Sequence, residues 1–309
     1  MTKISIVTPT FNEEESIKKL CLDIKIEMEK LNFDYEHIII DNASTDNTIE
    51  ILKEICLNNK KIKVIVNSKN YGHIRSPFYG ILQTASDACI LMASDFQDPV
   101  ELIPQYIQKW KNGSKIVLGE KITSNENTAL FSIRKLFYKF LNKMSETTLS
   151  QNTTGSGIFD KTIIDKLKKI NDPYPYFRGL LNEIDDKIET IKFNQPKRLF
   201  GKTKNNLFTL YDIGVLGIVK HSRMPLRIMI LIGFLSSFLS FGVAVFYFFF
   251  KILYWSSFDL GIAPLVIGIY IFASIQILLI GIIGEYIGVI LLHQRNMPLV
   301  VEKERINFD

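Results

Sequence analysis

The sequence predicts an α/β, Rossmann-like domain followed by a C-terminal two-helix transmembrane hairpin, and two observations carry that prediction. Across residues 3–113, short apolar runs of strand length alternate with segments of helical period, a pattern that calls for a parallel sheet covered by helices on both faces. Residues 228–250 and 260–284 then contain no Asp, Glu, Lys or Arg. At about 1.5 Å per residue, each run exceeds the roughly 30 Å of a bilayer core.

The elements follow in order. Residues 3–10 read as a buried strand, and a helix begins after Asn12, with Ile17, Leu20, Ile24 and Met28 on one face. Strands are expected at 35–41 and 62–67, with helices at 49–57 and 76–86. A fourth strand starting at Ala88 empties into Asp95-Phe96-Gln97-Asp98, and Pro99 closes it before a helix over 100–113. Polar loops at 8–14, 41–48 and 95–98 therefore share one sheet edge, which is where open α/β sheets bind ligands. Alone, the 95–98 stretch fits an acidic turn capping a helix as well as it fits a cation site. No Gly-x-Gly-x-x-Gly or Gly-Lys-Ser/Thr string occurs, which excludes a dinucleotide fingerprint and an ATPase-type phosphate loop.

Cys21, Cys56 and Cys89 lack metal-ligand spacing and read as reduced core residues. The net charge is +5, and the Lys and Arg residues of 192–227 crowd against the first apolar run. Anionic headgroups account for that crowding, and no nucleic-acid motif is present. Lys220, Arg223, Arg227 and Arg295 flank the hairpin while Lys251 stands alone between the runs. Positive residues favour the cytoplasmic side, so the N-terminal domain and residues 293–309 are expected there.

Pro9-Thr-Phe11-Asn-Glu13, Asp41-Asn-Ala-Ser-Thr-Asp46, Asn70-Tyr-Gly72-His and Asp95-Phe-Gln97-Asp98-Pro99 together resemble family 2 inverting glycosyltransferases. Within that family the chain is similar to membrane-bound polyprenyl-phosphate enzymes, the bactoprenol glucosyltransferase and dolichol-phosphate mannose synthase group. The similarity continues through Tyr176-Phe-Arg178-Gly179, Lys197-Arg198-Leu-Phe-Gly201-Lys-Thr-Lys204 and Gly284-Glu285-Tyr-Ile-Gly288. It implies a glycosyltransferase A fold over 1–165, an acceptor loop and juxtamembrane amphipathic segment over 166–225, two spans over 226–292 and a tail over 293–309.

The resemblance also implies roles. Pro9, Phe11, Glu13, Asp41 and Asp46 would bind the nucleoside of a sugar donor, with Gly72 allowing close approach. Asp95 and Gln97 would hold Mg²⁺ or Mn²⁺ against the diphosphate, and Arg198 and Lys204 would close over the phosphates. Arg134 would grip a lipid phosphate, Lys121 stands where another arginine is usual, and Asp98 belongs to the catalytic set.

Two positions depart from the pattern. Ala93 replaces the first carboxylate of the cation motif, and Gly155 stands about where relatives carry a catalytic Asp. A phosphate acceptor tolerates the second loss, because a monoester with a second pKa near 6 is mostly dianionic at neutral pH. A hydroxyl acceptor would require a base from Asp98 or Asp160. The expected activity is transfer of a sugar, from a UDP-linked donor, to undecaprenyl phosphate at the cytoplasmic membrane face for cell-envelope glycan such as lipopolysaccharide. A homotetramer is a further expectation from relatives. The rival reading is a catalytically silent nucleotide-sugar-binding scaffold. A processive synthase is disfavoured, since its Gln-x-x-Arg-Trp motif is missing.

Overall fold

The computed structural model describes residues 2–123, 153–185, 187–196, 215–220, 222, 224–254 and 262–308. Strands β1 (Lys3–Thr10), β2 (Asp34–Asp41), β3 (Ile62–Asn67) and β4 (Ala88–Leu91) alternate with helices α1 (Ile17–Leu31), α2 (Thr48–Asn58) and α3 (Gly72–Leu82). After α4 (Leu102–Lys111) come β5 (Ile116–Thr123), β6 (Thr153–Asp160), α5 (Lys161–Leu167), α6 (Phe177–Ile184) and β7 (Ile188–Asn194). Two long helices, α7 (Met224–Leu253) and α8 (Ile262–Gln294), precede a last strand, β8 (Glu302–Ile306). All strands form one sheet in the order β7-β5-β6-β4-β1-β2-β3-β8.

β1 to β4 are parallel, as both-face apolar strands require, but the sheet as a whole is mixed. β6 runs antiparallel to β4, with Leu91 opposite Gly157, and β8 runs antiparallel to β3, with Val66 opposite Glu304. Residues 293–309 thus contribute an edge strand to the domain they were expected to trail from. Residues on alternate faces of the strands feed two cores. Ile4, Ile6, Ile39 and Ile90 pack with α1, α2 and α4, while Val7, Ile38, Ile40 and Phe159 pack with α3, α5 and α6.

Helix ends follow local chemistry. α3 runs from Gly72 to Leu82 rather than over 76–86, and its first residue has a φ of 80°, which a β-carbon would strain. α4 carries Pro104 in its first turn, where the missing N–H has no intrahelical partner to lose. Leu207, Leu210, Tyr211, Val215 and Ile218 predict an amphipathic helix over 206–220 in the juxtamembrane segment; residues 215–220 are helical, and 206–214 lie outside the described residues. α7 and α8 are long and apolar enough to cross a membrane, and their apolar windows are 6% and 0% buried. α8 continues past the charge-free run through Glu285 to Gln294.

Gly157 has no room for a side chain: a β-carbon there would lie 2.1 Å from the Val117 carbonyl oxygen. Gly157→Ala is expected to lower stability by at least about 1–3 kcal/mol, read as a drop in thermal midpoint of the full-length protein. His37 is fully buried, its Nε2 bonded to the Thr8 hydroxyl at 2.9 Å, and burial lowers its pKa from 6.5 to about 3. An unfolded imidazole takes up a proton near pH 6.5 whereas the folded one resists until about 3, so acidification through that window favours unfolding. The expected contribution is a loss of up to about 1.4 kcal/mol per pH unit, and His37→Gln should flatten the stability-versus-pH curve between these values.

Candidate active site

The parallel register carries the ends of β1 and β2 to the same level, Thr10 opposite Asp41. Their loops then interlock through side chains. Asn12, at φ 55°, donates its backbone N–H to the Ser44 hydroxyl at 2.8 Å and accepts from the Thr45 N–H at 2.8 Å. The Glu13 N–H donates to the Thr48 hydroxyl at 2.9 Å, and Glu14 accepts from the Asn47 N–H and side-chain amide.

Within this frame the expected nucleoside residues separate by depth. Asp41 is wholly buried, both carboxylate oxygens accepting from Ser44, and burial together with the Asp46 charge raises its pKa against those bonds. Asp46 is shallower; burial opposes ionisation, but bonds from the Thr48 hydroxyl and N–H outweigh it and keep the carboxyl below its usual range. It therefore closes the turn that leads into α2, and its Oδ2 also accepts from the Glu14 N–H at 3.2 Å. Pro9, Phe11 and Glu13 are half-buried on the same rim, and Glu13 also accepts from the Ser16 hydroxyl at 2.8 Å. Gly72 leaves open space where its β-carbon would be.

β4 delivers the second half of the site. Asp95 and Gln97 are half-buried in a turn closed by the Gln97 N–H on Asp95 Oδ1 at 3.1 Å, with Phe96 between them at φ 57°. Among the described residues no group of three or more His, Cys, Asp or Glu side chains gathers at metal-binding distance. One carboxylate and one amide still suit Mg²⁺ or Mn²⁺, which fill their remaining positions with diphosphate oxygens and water.

Asp98 differs from its neighbours: it is 4% exposed, and the Ser156 hydroxyl donates to its Oδ2. Oδ1 has no hydrogen-bond partner among the described residues. Burial pushes the Asp98 pKa up, and the Asp95 charge adds to it, against the Ser156 bond and the Lys121 charge. Asp98 thus underlies the site and ties the Asp95 turn to β6. Asp160, at the far end of β6, caps α5 through Thr162 and accepts from the Trp110 indole at 2.9 Å, which commits it to structure.

Gly155 follows from the antiparallel pairing of β6 with β4, which returns the chain beside the Asp95 turn. Its φ is 86°, and a β-carbon would sit 3.5 Å from Arg178 Nε. Arg178 donates from Nη2 to the Thr154 carbonyl at 3.0 Å. His73, at the start of α3, has its pKa lowered by burial and then by the Arg178 charge. The structure therefore brings His73 and Gly155 to the same guanidinium, that of Arg178. Of these, His73 and Arg178 had no assigned role from sequence, although both lie in motifs that carried the resemblance. Arg134, Arg198 and Lys204 lie outside the described residues.

Comparison with known proteins identifies the family and the fold. Residues 5–188 match the family described as glycosyl transferase family 2. The uncharacterized glycosyltransferase YkcC of Bacillus subtilis (strain 168) is 30% identical over 302 residues, covering 96% of this chain and 92% of that protein. The bactoprenol glucosyl transferase of Shigella phage SfX is 27% identical over 305 residues, covering 98% and 99%. The crystal structure of Mycobacterium tuberculosis glucosyl-3-phosphoglycerate synthase with Mn²⁺, UDP-glucose and phosphoglyceric acid is 18% identical. It superposes with a TM-score of 0.50 over 71% of this chain and 78% of the other, a likeness of fold. The chain belongs to glycosyl transferase family 2, built on the glycosyltransferase A fold.

Proposed function

We propose that this glycosyltransferase moves a sugar, with inversion, from a UDP-linked donor to a polyprenyl phosphate, with undecaprenyl phosphate the specific acceptor. The observation that carries the reading is the state of β6 and the acids tied to it: none is free to act as a base beside Gly155. Asp98 is buried against Ser156, Asp160 caps a helix, and Gly155 offers no side chain. A hydroxyl nucleophile would need a base there, whereas a phosphate arrives already charged. The α7–α8 pair, read as a membrane hairpin, would seat the site at a lipid surface. The name of the Shigella phage relative supports a bactoprenol-type acceptor. The basic residues flanking the hairpin support a cytoplasmic active site in a bacterial inner membrane.

In this mechanism the loops of Pro9, Phe11, Glu13, Asp41, Asp46 and Gly72 hold the nucleoside and fix the anomeric carbon in reach. Asp95 and Gln97 would hold Mg²⁺ or Mn²⁺, which neutralises charge on the departing nucleoside diphosphate when bound. Arg198 and Lys204 would share that task, and Arg134 with Lys121 would orient the lipid phosphate. The phosphate oxygen forms its bond to the anomeric carbon as the bond to the diphosphate breaks, with no proton to remove. Asp98 acts here by holding β6 to the Asp95 turn. Assembly as a tetramer through the hairpins belongs to the same proposal.

Purified protein with Mn²⁺, undecaprenyl phosphate and labelled UDP-sugars is expected to give an organic-extractable product; none across common UDP and GDP sugars would overturn the assignment. Asp95→Ala should cut kcat/KM by about 100-fold or more. Ala93 and Gly155 motivate the rival scaffold, for which donor binding without product, unaltered by Asp95→Ala, is the signature. Ser156→Ala leaves the Asp98 carboxylate short of a donor, and an unfolding titration should show a loss of about 1–3 kcal/mol.

A further inference from the structure

The chain leaves α8 at Gln294 and reaches the nucleotide half of the domain within a few residues. There the backbone of Pro298 and Leu299 passes over α3. Arg75 donates from Nη2 to the Pro298 carbonyl and from Nε to the Leu299 carbonyl, both at 2.7 Å. The same guanidinium lies 5.0 Å from the ring centroid of Tyr71. The Tyr71 N–H donates to Asn42 Oδ1 at 2.8 Å, and Asn42 follows Asp41 directly. Asn42 Nδ2 in turn reaches the Gly72 carbonyl at 3.2 Å, and the Asn42 N–H donates to the Thr10 carbonyl at 2.9 Å. An unbroken series of contacts therefore runs from the segment after the last apolar helix to three loops of the nucleotide pocket.

Beyond Leu299 the tail is anchored independently. β8 extends the sheet at β3, Tyr79 donates its hydroxyl to Glu302 at 2.6 Å, and Asn307 Nδ2 donates to the carbonyls of Cys56 and Ile62, each at 2.9 Å. Charge-assisted bonds from a planar fork fix direction as well as distance, so two successive carbonyls determine how Arg75 stacks on Tyr71. Lysine would supply a single ammonium with neither the fork nor the plane.

We propose that the C-terminal segment, held in place by β8, is a positioning element of the nucleotide pocket and that Arg75, through the Pro298 and Leu299 carbonyls, is the positioning residue by which it acts. Nucleoside diphosphate affinity is then set partly by how the tail is docked, and hence by the seating of the apolar helix it leaves. The inference rests on the reading of the β1, β2 and β3 loops as the nucleotide pocket.

The test is titration of the full-length protein in detergent with UDP and with GDP in the presence of Mn²⁺, alongside donor KM and kcat. Arg75→Met is expected to weaken UDP binding and raise donor KM by about three- to tenfold with kcat changed less than about twofold. Arg75→Lys should fall between that variant and the wild type. Asn307→Ala loosens the tail from the opposite end and should weaken binding in the same direction, with the double variant losing less than the product of the two. Such a shared effect on KM is not expected of a purely structural role, which lowers the active fraction and leaves KM alone. Unchanged affinity in Arg75→Met overturns the inference, as does an effect of Arg75→Met that Asn307→Ala does not share. Wild-type protein that binds neither nucleotide overturns the pocket assignment and this inference with it.

Discussion

Asn42 is 6% exposed, and its side-chain amide is engaged at both ends. Oδ1 accepts from the Tyr71 N–H and from Asn67 Nδ2, while Nδ2 donates to Asn70 Oδ1 and the Gly72 carbonyl. In a buried setting each unmade bond would cost more than a made one returns, so the arrangement tolerates one loop geometry. That single amide joins the end of β2 to the end of β3 and the start of α3. The left-handed Gly72 and the stacked Tyr71 are consequences, since the chain must turn sharply to offer its backbone to Asn42.

A second tie performs the same task on the other side of the sheet. Ser156 donates to Asp98, binding the turn after β4 to β6, and the register of β6 then fixes where Gly155 and Thr154 lie. Arg178 reaches that point from α6 through the Thr154 carbonyl. The candidate site is therefore bounded by two buried side-chain ties, with the half-buried Asp95 and Gln97 between them. Placing the rigid groups below and the reactive groups above is how a site keeps its geometry without burying the charges it must present.

The parallel half of the fold was legible because its signal is periodic: strands apolar on both faces and helices with a 3.6-residue stripe are local patterns. Strand-end residues such as Asp41 and Asp95 were legible for the same reason, since topology alone sends them to one edge. β8 was not, because Glu302-Lys-Glu-Arg-Ile306 is a charged edge strand whose pairing depends on backbone bonds to β3 and side-chain bonds from α3. Its charge is what an exposed edge needs to resist further pairing. The depth of Asp98 was equally hidden: an acid one residue from Gln97 has the same local pattern whether it faces solvent or Ser156. Only the nonlocal β4–β6 register decides between them.

These placements share an electrostatic logic. On the Gly155 side, the guanidinium of Arg178 acts on His73, and Lys121 on Asp98, so positive charge gathers where carboxylate is withheld. At the ends of β1 and β2, bonds from Ser44 and Thr48 favour the charged carboxylates of Asp41 and Asp46; burial outweighs them at Asp41, and they outweigh burial at Asp46. Asp95, the half-buried acid of the turn after β4, adds its charge to the burial that raises the Asp98 pKa, and neither Ala93 nor Gly155 adds a further carboxylate beside it.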